Sequence, residues 1–322
     1  MGCVLGGMLS LHRHDVLLVG RQPLVDAVRE GGLRLKSATG EYITHPRVVA
    51  TVAASDIPAG ATILLTVKAH DVERAAASLS KLADAATPIV CFQNGVASED
   101  AVLKHFDHVH GAVVRMTCSM VQPGHASFRA FGRIVLGAYP KGPVSAVADL
   151  TAALREAGFD AVASKSIVDD KWLKLAVNAQ SVFHALIDAR DQDENEFFDL
   201  KVAILEETAR VYKAAKIKAR SADGKDPSIA EMIAEIKRPR ARRTEHGVKV
   251  HNSVWQDFYL KRPHIEAESI HGPVIALAKA HGVPAPVHEV SLAIARRCHA
   301  AKTGPESLRL VDVANEIAKH RA

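Results

Sequence analysis

Four short apolar runs without polar alternation, spaced through the first half of the chain, constrain the fold more than any other feature. Asp15 to Gly20 (DVLLVG), Thr62 to Val67 (TILLTV), Pro88 to Phe92 (PIVCF) and Ala112 to Met116 (AVVRM) are rich in β-branched residues and apolar on both faces. A strand with one face in water would alternate, so these runs belong to a sheet covered on both sides, the usual setting of parallel strands. Amphipathic segments separate them, Gln22 to Glu30 and Val72 to Leu82 among them. Strand and helix in repetition predict a doubly wound α/β domain with right-handed crossovers.

From about Lys165 the strand signals stop, and Lys171 to Ile187, Leu200 to Ala215 and Ile270 to His281 carry helical periodicity. The expected organisation is an α/β domain over residues 1–165 followed by an all-α domain over 166–322. A polar, basic stretch from Lys216 to Val250 falls in the second part. Neither an internal repeat nor a low-complexity segment is present.

At 322 residues, 48% hydrophobic and 24% charged, the chain can bury two cores. No apolar run approaches the roughly 18 residues of a membrane span. His12, Arg13, His14 and Asp15 interrupt what would have to be the apolar part of a signal peptide, so a cytoplasmic location is the default expectation. Cys3, Cys91, Cys118 and Cys298 match neither a zinc spacing nor a dense disulfide framework, and read as reduced, mostly buried thiols. The net charge of +5 is dispersed except at Lys237-Arg238-Pro239-Arg240-Ala241-Arg242-Arg243, which reads as a solvated helix face or loop, with polyanion binding as the alternative. His105-Phe106-Asp107-His108-Val109-His110 reads as a solvated cluster, and no metal is expected.

A dinucleotide-binding domain of the Rossmann type uses a first strand, a G-x-G-x-x-G turn and the following helix N-terminus, where backbone N–H groups and the helix dipole meet the pyrophosphate. This chain opens Met1-Gly2-Cys3-Val4-Leu5-Gly6-Gly7. If Gly2 is the third glycine, a helix leads from it into the strand at Asp15, and the first strand and first two glycines would lie upstream of Met1. The alternative is that Gly2, Gly6 and Gly7 are simply small residues in an N-terminal helix. Arg21 ends the next strand, where an arginine can hold the 2′-phosphate of NADP through a charge-assisted fork, or can be a surface residue before a turn. Lys68 and Asn94 follow the strands TILLTV and PIVCF, at the carboxyl ends where ligands of open α/β sheets bind.

In Lys171-Trp172-Leu173-Lys174-Leu175-Ala176-Val177-Asn178, residues 174 and 178 are four apart and share a helix face. Ketone reduction needs hydride delivery to carbon and protonation of oxygen, so a lysine there can stabilise developing charge and act as general acid. A solvated lysine and a surface asparagine would show the same spacing, and Lys171 shares the face. Downstream, Ser253 and Glu266 offer a hydroxyl and a carboxylate, but Pro263 breaks the helical run between them and their separation does not follow from helical geometry.

Together these segments resemble the ketopantoate reductase (2-dehydropantoate 2-reductase) family over most of the chain. Gly2 to Gly7 resembles the stretch from that family's third glycine, and His14 to Arg21 its second strand with the NADP-preferring arginine. Thr66-Val67-Lys68-Ala69 and Gln93-Asn94-Gly95 resemble its next two ligand-side segments, and Trp172 to Asn178 its catalytic helix. Ser253-Val254-Trp255-Gln256-Asp257 with Glu266 resembles its substrate segment, and His281-Gly282-Val283-Pro284-Ala285-Pro286 its late turn. The resemblance implies NADPH-dependent reduction of a small 2-keto acid, 2-dehydropantoate to pantoate on the route to pantothenate. Lys174 would be the general acid, and Asn178 and Glu266 would be catalytic. Asn94 and Ser253 would bind substrate, and Gly2, Arg21, Lys68 and Asn94 the cofactor. A small-molecule partner and a candidate homodimer are expected, with no membrane or nucleic acid.

The chain departs from the family at two places. Val182 stands where a second asparagine is usual, and Glu268-Ser269-Ile270-His271-Gly272 replaces an Asp-Tyr-(x)-Asn-Gly stretch. These losses of polar groups leave open a 2-keto acid of another shape, and the incomplete glycine motif leaves open a non-catalytic ligand-sensing or polyanion-binding role.

Overall fold

The computed structural model describes residues 1–238 and 251–321, so Pro239 to Arg243 of the basic run lie outside the described residues. The chain divides into two compact units, one of Met1–Gln93 with Ser98–Val168 and one of Asn94–Ala97 with Asp169–Ala322. The tetrapeptide Asn94–Ala97 thus belongs with the C-terminal unit, although α/β segments flank it on both sides.

The first unit opens with helix α1 (Gly2–Leu11) and continues through β1 (Leu17–Val19), α2 (Gln22–Gly31), β2 (Leu33–Lys36), β3 (Glu41–Thr44) and β4 (Arg47–Val49). It goes on with β5 (Ile63–Leu65), α3 (Val72–Leu79), β6 (Ile89–Cys91), α4 (Ser98–Leu103) and β7 (Val109–Arg115). Strands β8 (Cys118–Gln122), β9 (His125–Phe128) and β10 (Arg133–Ala138), helix α5 (Ala148–Glu156) and β11 (Asp160–Ala163) complete it. The fold is Rossmann-like α/β followed by a helical region. All four apolar runs form strands, and β5, β6 and β7 pair in parallel, with Leu64 beside Val90 and Val90 beside His110.

The parallel strands fall into two groups. β1 pairs with β4 alone, whereas β5 is the edge of a five-stranded sheet ordered β11-β10-β7-β6-β5. One core nevertheless spans both groups, because α1 buries Val4, Leu5, Met8 and Leu9 against residues as far apart as Leu18, Val90, Val114 and Leu136. Gly7 lets α1 approach β2 as well: a Cβ there would lie 2.8 Å from side-chain atoms of both Leu33 and Leu35. Helix α2 follows from its apolar stripe Leu24, Val25 and Val28, from Pro23 in its first turn and from Gly32 at φ +75°, which ends it.

Two features differ from the sequence expectation. A four-stranded sheet, β3-β2-β9-β8, has no counterpart in it. Its strands are short and two-sided: Leu33 and Leu35 are buried while Arg34 and Lys36 are exposed, so no continuous apolar run announces them. Strand β10 also enters the main sheet antiparallel to β7, placing Ile134 beside Val114 and Leu136 beside Ala112, and β11 then adds in parallel to β10.

The second unit is built from α6 (Ile167–Ala179), α7 (Ser181–Leu186), α8 (Asn195–Ala214), α9 (Ile229–Ile236), α10 (Ser253–Tyr259), α11 (Ala267–Ala280), α12 (Pro286–Ala300) and α13 (Leu310–Arg321). Residues Ile167 and Val168 of α6 still pack in the first unit, on Val113 and Val135. The single helix expected over Lys171 to Ile187 is two, because its halves serve different cores. Leu173, Leu175 and Ala176 pack with Leu205 and Val211, whereas Val182, Phe183 and Leu186 pack with Phe197 and Ile294. The Ser181 carbonyl, at the break, accepts the side-chain N–H of Asn252 at 3.0 Å.

Phe106 tests the first core. It is 1% exposed and packs among Leu65, Val72, Ile89, Val102 and Val109. Phe106→Ala is expected to destabilise the protein by about 3–5 kcal/mol in chemical denaturation, through lost burial plus the cavity left behind; a loss under about 1 kcal/mol would contradict this packing.

Candidate active site

Helix α6 presents Lys174 and Asn178, both half-buried, from a backbone held on several sides. Leu173, Leu175 and Ala176 anchor it in the helical core. Tyr212 packs edge-on against Trp172, with ring centroids 5.3 Å apart, and its hydroxyl donates to the Trp172 carbonyl at 3.1 Å. Burial pushes that phenol well above its ordinary range, so it remains a neutral donor. At the helix start, Asp170 accepts the Ala222 N–H at 2.9 Å and Asp169 pairs with Arg220 at 3.0 Å. Lys171 is only 3% exposed and so lies deeper than Lys174, a distinction that spacing along the helix did not make.

Asn94, 172 residues from Glu266 in sequence, donates its side-chain N–H to the Glu266 carboxylate. Two backbone features allow this. Val96 packs against the core that holds Leu173 and Leu175 of α6, which places the 94–97 segment beside the lysine helix. Gly95, at φ +90°, runs close to α11, and a Cβ on it would lie 3.0 Å from the Ser269 carbonyl. That carbonyl lies four residues before Pro273, which has no N–H to give it.

Glu266 is the N-cap of α11, and a carboxylate that the sequence reading left without a role fixes its position. Asp257 is 1% exposed; one oxygen accepts the Glu266 backbone N–H and the other the Arg262 guanidinium, each at 2.8 Å. The clamp closes the turn that Pro263 forces between α10 and α11. Ser253, in the first turn of α10 and four residues before Asp257, shares its helix face. Asn252 caps that helix by accepting the Trp255 N–H at 2.8 Å. The Ser253 to Asp257 spacing was readable in advance, but nothing in the sequence said that Asp257 would reach back to Glu266.

Of the four residues expected at the cofactor, Gly2, Arg21 and Lys68 lie in the first unit, whereas Asn94 belongs to the second. Gly2 begins α1, and a Cβ on it would fall 2.5 Å from the Thr66 hydroxyl, just beyond β5. No side chain caps α1, so its first amides and dipole remain available to an anion. Arg21 is exposed and caps α2 immediately after β1, and Lys68 is half-buried and precedes the 3₁₀ turn Ala69–Asp71. Buried Gln93 donates to the carbonyls of Leu65 and Val67 at 2.8 and 2.9 Å, tying the end of β5 to the end of β6. An uncapped helix start with a glycine closely approached by a strand end suits a dinucleotide pyrophosphate, and an exposed arginine at the end of a strand suits a further phosphate.

Of the two departures from the family pattern, the first is buried, and in the second Ile270 and His271 are buried while Glu268 is exposed and pairs with Arg296. Val182 lies in the apolar core of α7, and His271 packs inside α11 against His288. Of the basic run, the described Lys237 and Arg238 pair with Glu206 and Glu235 at 2.9 and 2.6 Å. In the histidine cluster, His105 lies 3.4 Å from Glu73, which also holds Lys104. Among the described residues no group of three His, Cys, Asp or Glu side chains is placed to hold a metal ion, and no helix is long and apolar enough to cross a membrane.

The chain is 24% identical over 294 residues to the 2-dehydropantoate 2-reductase of Pyrococcus horikoshii, an alignment covering 89% of this chain and 91% of that protein. Its fold is similar to that of a PanE/ApbA family ketopantoate reductase from Ralstonia eutropha, with a TM-score of 0.77, 24% identity and coverage of 93% and 95% of the two chains. It is also similar to a D-mandelate dehydrogenase solved with NADH and anilino(oxo)acetate, with a TM-score of 0.75, 20% identity and coverage of 92% and 95%. Residues 1–141 match the family model described as ketopantoate reductase PanE/ApbA, and residues 166–299 match the model of that family's C-terminal part, so the chain belongs to the ketopantoate reductase family.

Proposed function

We propose that the protein reduces a small 2-keto acid with NADPH, most simply 2-dehydropantoate to pantoate, using Lys174 as general acid. The observation that carries this reading is the Asn94–Glu266 hydrogen bond, formed in the same compact unit that holds the Lys174 helix. It joins an amide to a carboxylate, and Asp257, which fixes that carboxylate's backbone, stands one helix turn from Ser253 on α10. Reduced nicotinamide, when bound, supplies the hydride. Lys174 donates a proton to the ketone oxygen as negative charge develops there, and Asn178 orients that oxygen. Glu266, held by Asn94 and by Asp257, accepts a hydrogen bond from the substrate hydroxyl, and Ser253 donates one to the substrate carboxylate. Gly2 and the start of α1 take the pyrophosphate, Arg21 takes the 2′-phosphate, and Lys68 and Asn94 are each further cofactor-binding residues. A homodimer is the assembly we propose, and sedimentation equilibrium reads it directly.

A second substrate reading rests on one observation. Val182 is absorbed into the core and His271 into a buried pair, so neither offers a polar group to a hydroxylated substrate tail. A 2-keto acid with a bulkier apolar side chain then competes with 2-dehydropantoate, and the D-mandelate dehydrogenase likeness points to an aryl group. NADPH oxidation against a panel of branched, hydroxylated and aryl 2-keto acids ranks the two readings by kcat/KM.

Two variants test the mechanism. Lys174→Ala is expected to lower kcat by about 10²–10⁴-fold, the usual contribution of a positioned general acid, while Lys171→Ala retains turnover; the reverse pattern would assign the proton to Lys171. Arg21→Ala is expected to raise KM for NADPH by about 10–100-fold, the loss of a charge-assisted fork, with KM for NADH changed less than about twofold. Equal losses for the two cofactors would remove the basis for NADP preference.

A further inference from the structure

A second polar group lies buried in the helical unit and takes no part in the reaction. His271 of α11, His288 of α12, and Thr208 and Glu207 of α8 are all 0% exposed. Their hydrogen bonds determine where the protons are. Thr208 donates its hydroxyl to the Ile204 carbonyl at 2.7 Å, so its oxygen accepts the Nε2–H of His288 at 2.9 Å. His288 Nδ1 is then bare and accepts the Nδ1–H of His271 at 3.0 Å. That leaves His271 Nε2 as a bare, buried acceptor with no donor among the described residues.

Only the neutral pair satisfies this chain. A proton added at His271 Nε2 creates a wholly buried cation whose new N–H has no acceptor. A proton added at His288 Nδ1 either sets two N–H groups against each other or, if His271 changes tautomer, moves the orphaned N–H to His271 Nε2. Each outcome buries an unpaired charge away from water, which strongly disfavours the closed joint. The charged groups facing the pair do not neutralise it. Glu268 on α11 is bound to Arg296 of α12, at 2.7 Å through each carboxylate oxygen. Glu207 directs its carboxylate at the backbone N–H groups of Val287 and His288, 3.1 and 2.8 Å away, with Arg210 at 3.7 Å. Arg321 of α13 acts on Glu207 from farther away.

We propose that the His271–His288 pair is an acid-sensitive joint, holding α11 to α8 and α12 only while both rings are neutral. Because α11 carries Glu266 at its N-cap, opening the joint also releases that carboxylate from Asn94. The pH window follows from the two states of each ring. In the unfolded chain both titrate near the ordinary 6.5. In the folded chain burial pushes His271 down to about 4 and His288 well below the ordinary range. The folded protein therefore binds fewer protons, and the joint's stability, complete above about pH 6.5, is lost as pH falls toward 4. Glu207 works in the opposite sense, since burial raises its carboxyl and acid favours its folded form.

Comparison of the intact chain with a His271→Asn/His288→Asn variant isolates the pair, because Glu207 is present in both. Urea unfolding is followed between pH 7.5 and 4.5. The unfolding constant of the parent chain is expected to rise, relative to the variant, by up to about tenfold per pH unit for each histidine below pH 6. Parallel pH profiles would overturn the proposal. If the double variant fails to fold, the histidine ring resonances of the parent chain decide the matter: two rings that stay neutral to below pH 5 in the folded protein support the joint, and midpoints between 6 and 7 refute it. Neither readout measures turnover, so the proposal stands or falls separately from the reductase reading.

Discussion

The clamp at Asp257 is the interaction on which the candidate site depends. A carboxylate removed from water costs free energy unless both oxygens find donors, and here they find a backbone N–H and a guanidinium. The bond to Glu266 N–H also occupies an amide at the start of α11 that the helix itself cannot satisfy. One side chain therefore ends one helix, begins the next and sets the point from which Glu266 projects. Removing it would leave an orphan amide and an unpaired Arg262, and would free the residue that meets Asn94.

The same economy recurs around α6. Tyr212 and Trp172 hold the helix laterally, and Asp169 and Asp170 hold its start to the 220–222 segment. Lys174 and Asn178 are thus carried on a backbone fixed by groups that take no part in the chemistry. The first unit solves a different problem. Its strand ends must come near a helix start without side chains intervening, and Gly2 against Thr66 and Gln93 across the β5 and β6 ends supply that.

The architecture was legible where burial is two-sided. Continuous apolar runs announced β1, β5, β6 and β7, and helical periodicity announced the second half, because both patterns follow directly from which faces meet the core. The β2–β3 and β8–β9 strands were not legible, since strands exposed on one face read much like loops over four or five residues. The break at Gln180 was invisible for a related reason: α6 and α7 share one periodicity but bury their stripes in different cores. At the site, helix spacing joined Lys174 to Asn178. The meeting of Asn94 with Glu266 and the pairing of His271 with His288 depend on tertiary closure over 172 and 17 residues, which no local pattern encodes.

The assignment of Asn94–Ala97 to the helical unit bears on how such chains can be recombined. A crossover near residue 165 between two relatives would look innocuous, since it follows the change from α/β to all-α sequence. It would nevertheless draw the amide of the Asn94–Glu266 pair from one parent and the carboxylate, with its Asp257 clamp, from the other. Chimeras of this family should therefore carry the 94–97 tetrapeptide together with the C-terminal half, treating the two as a single heritable module despite their separation in sequence.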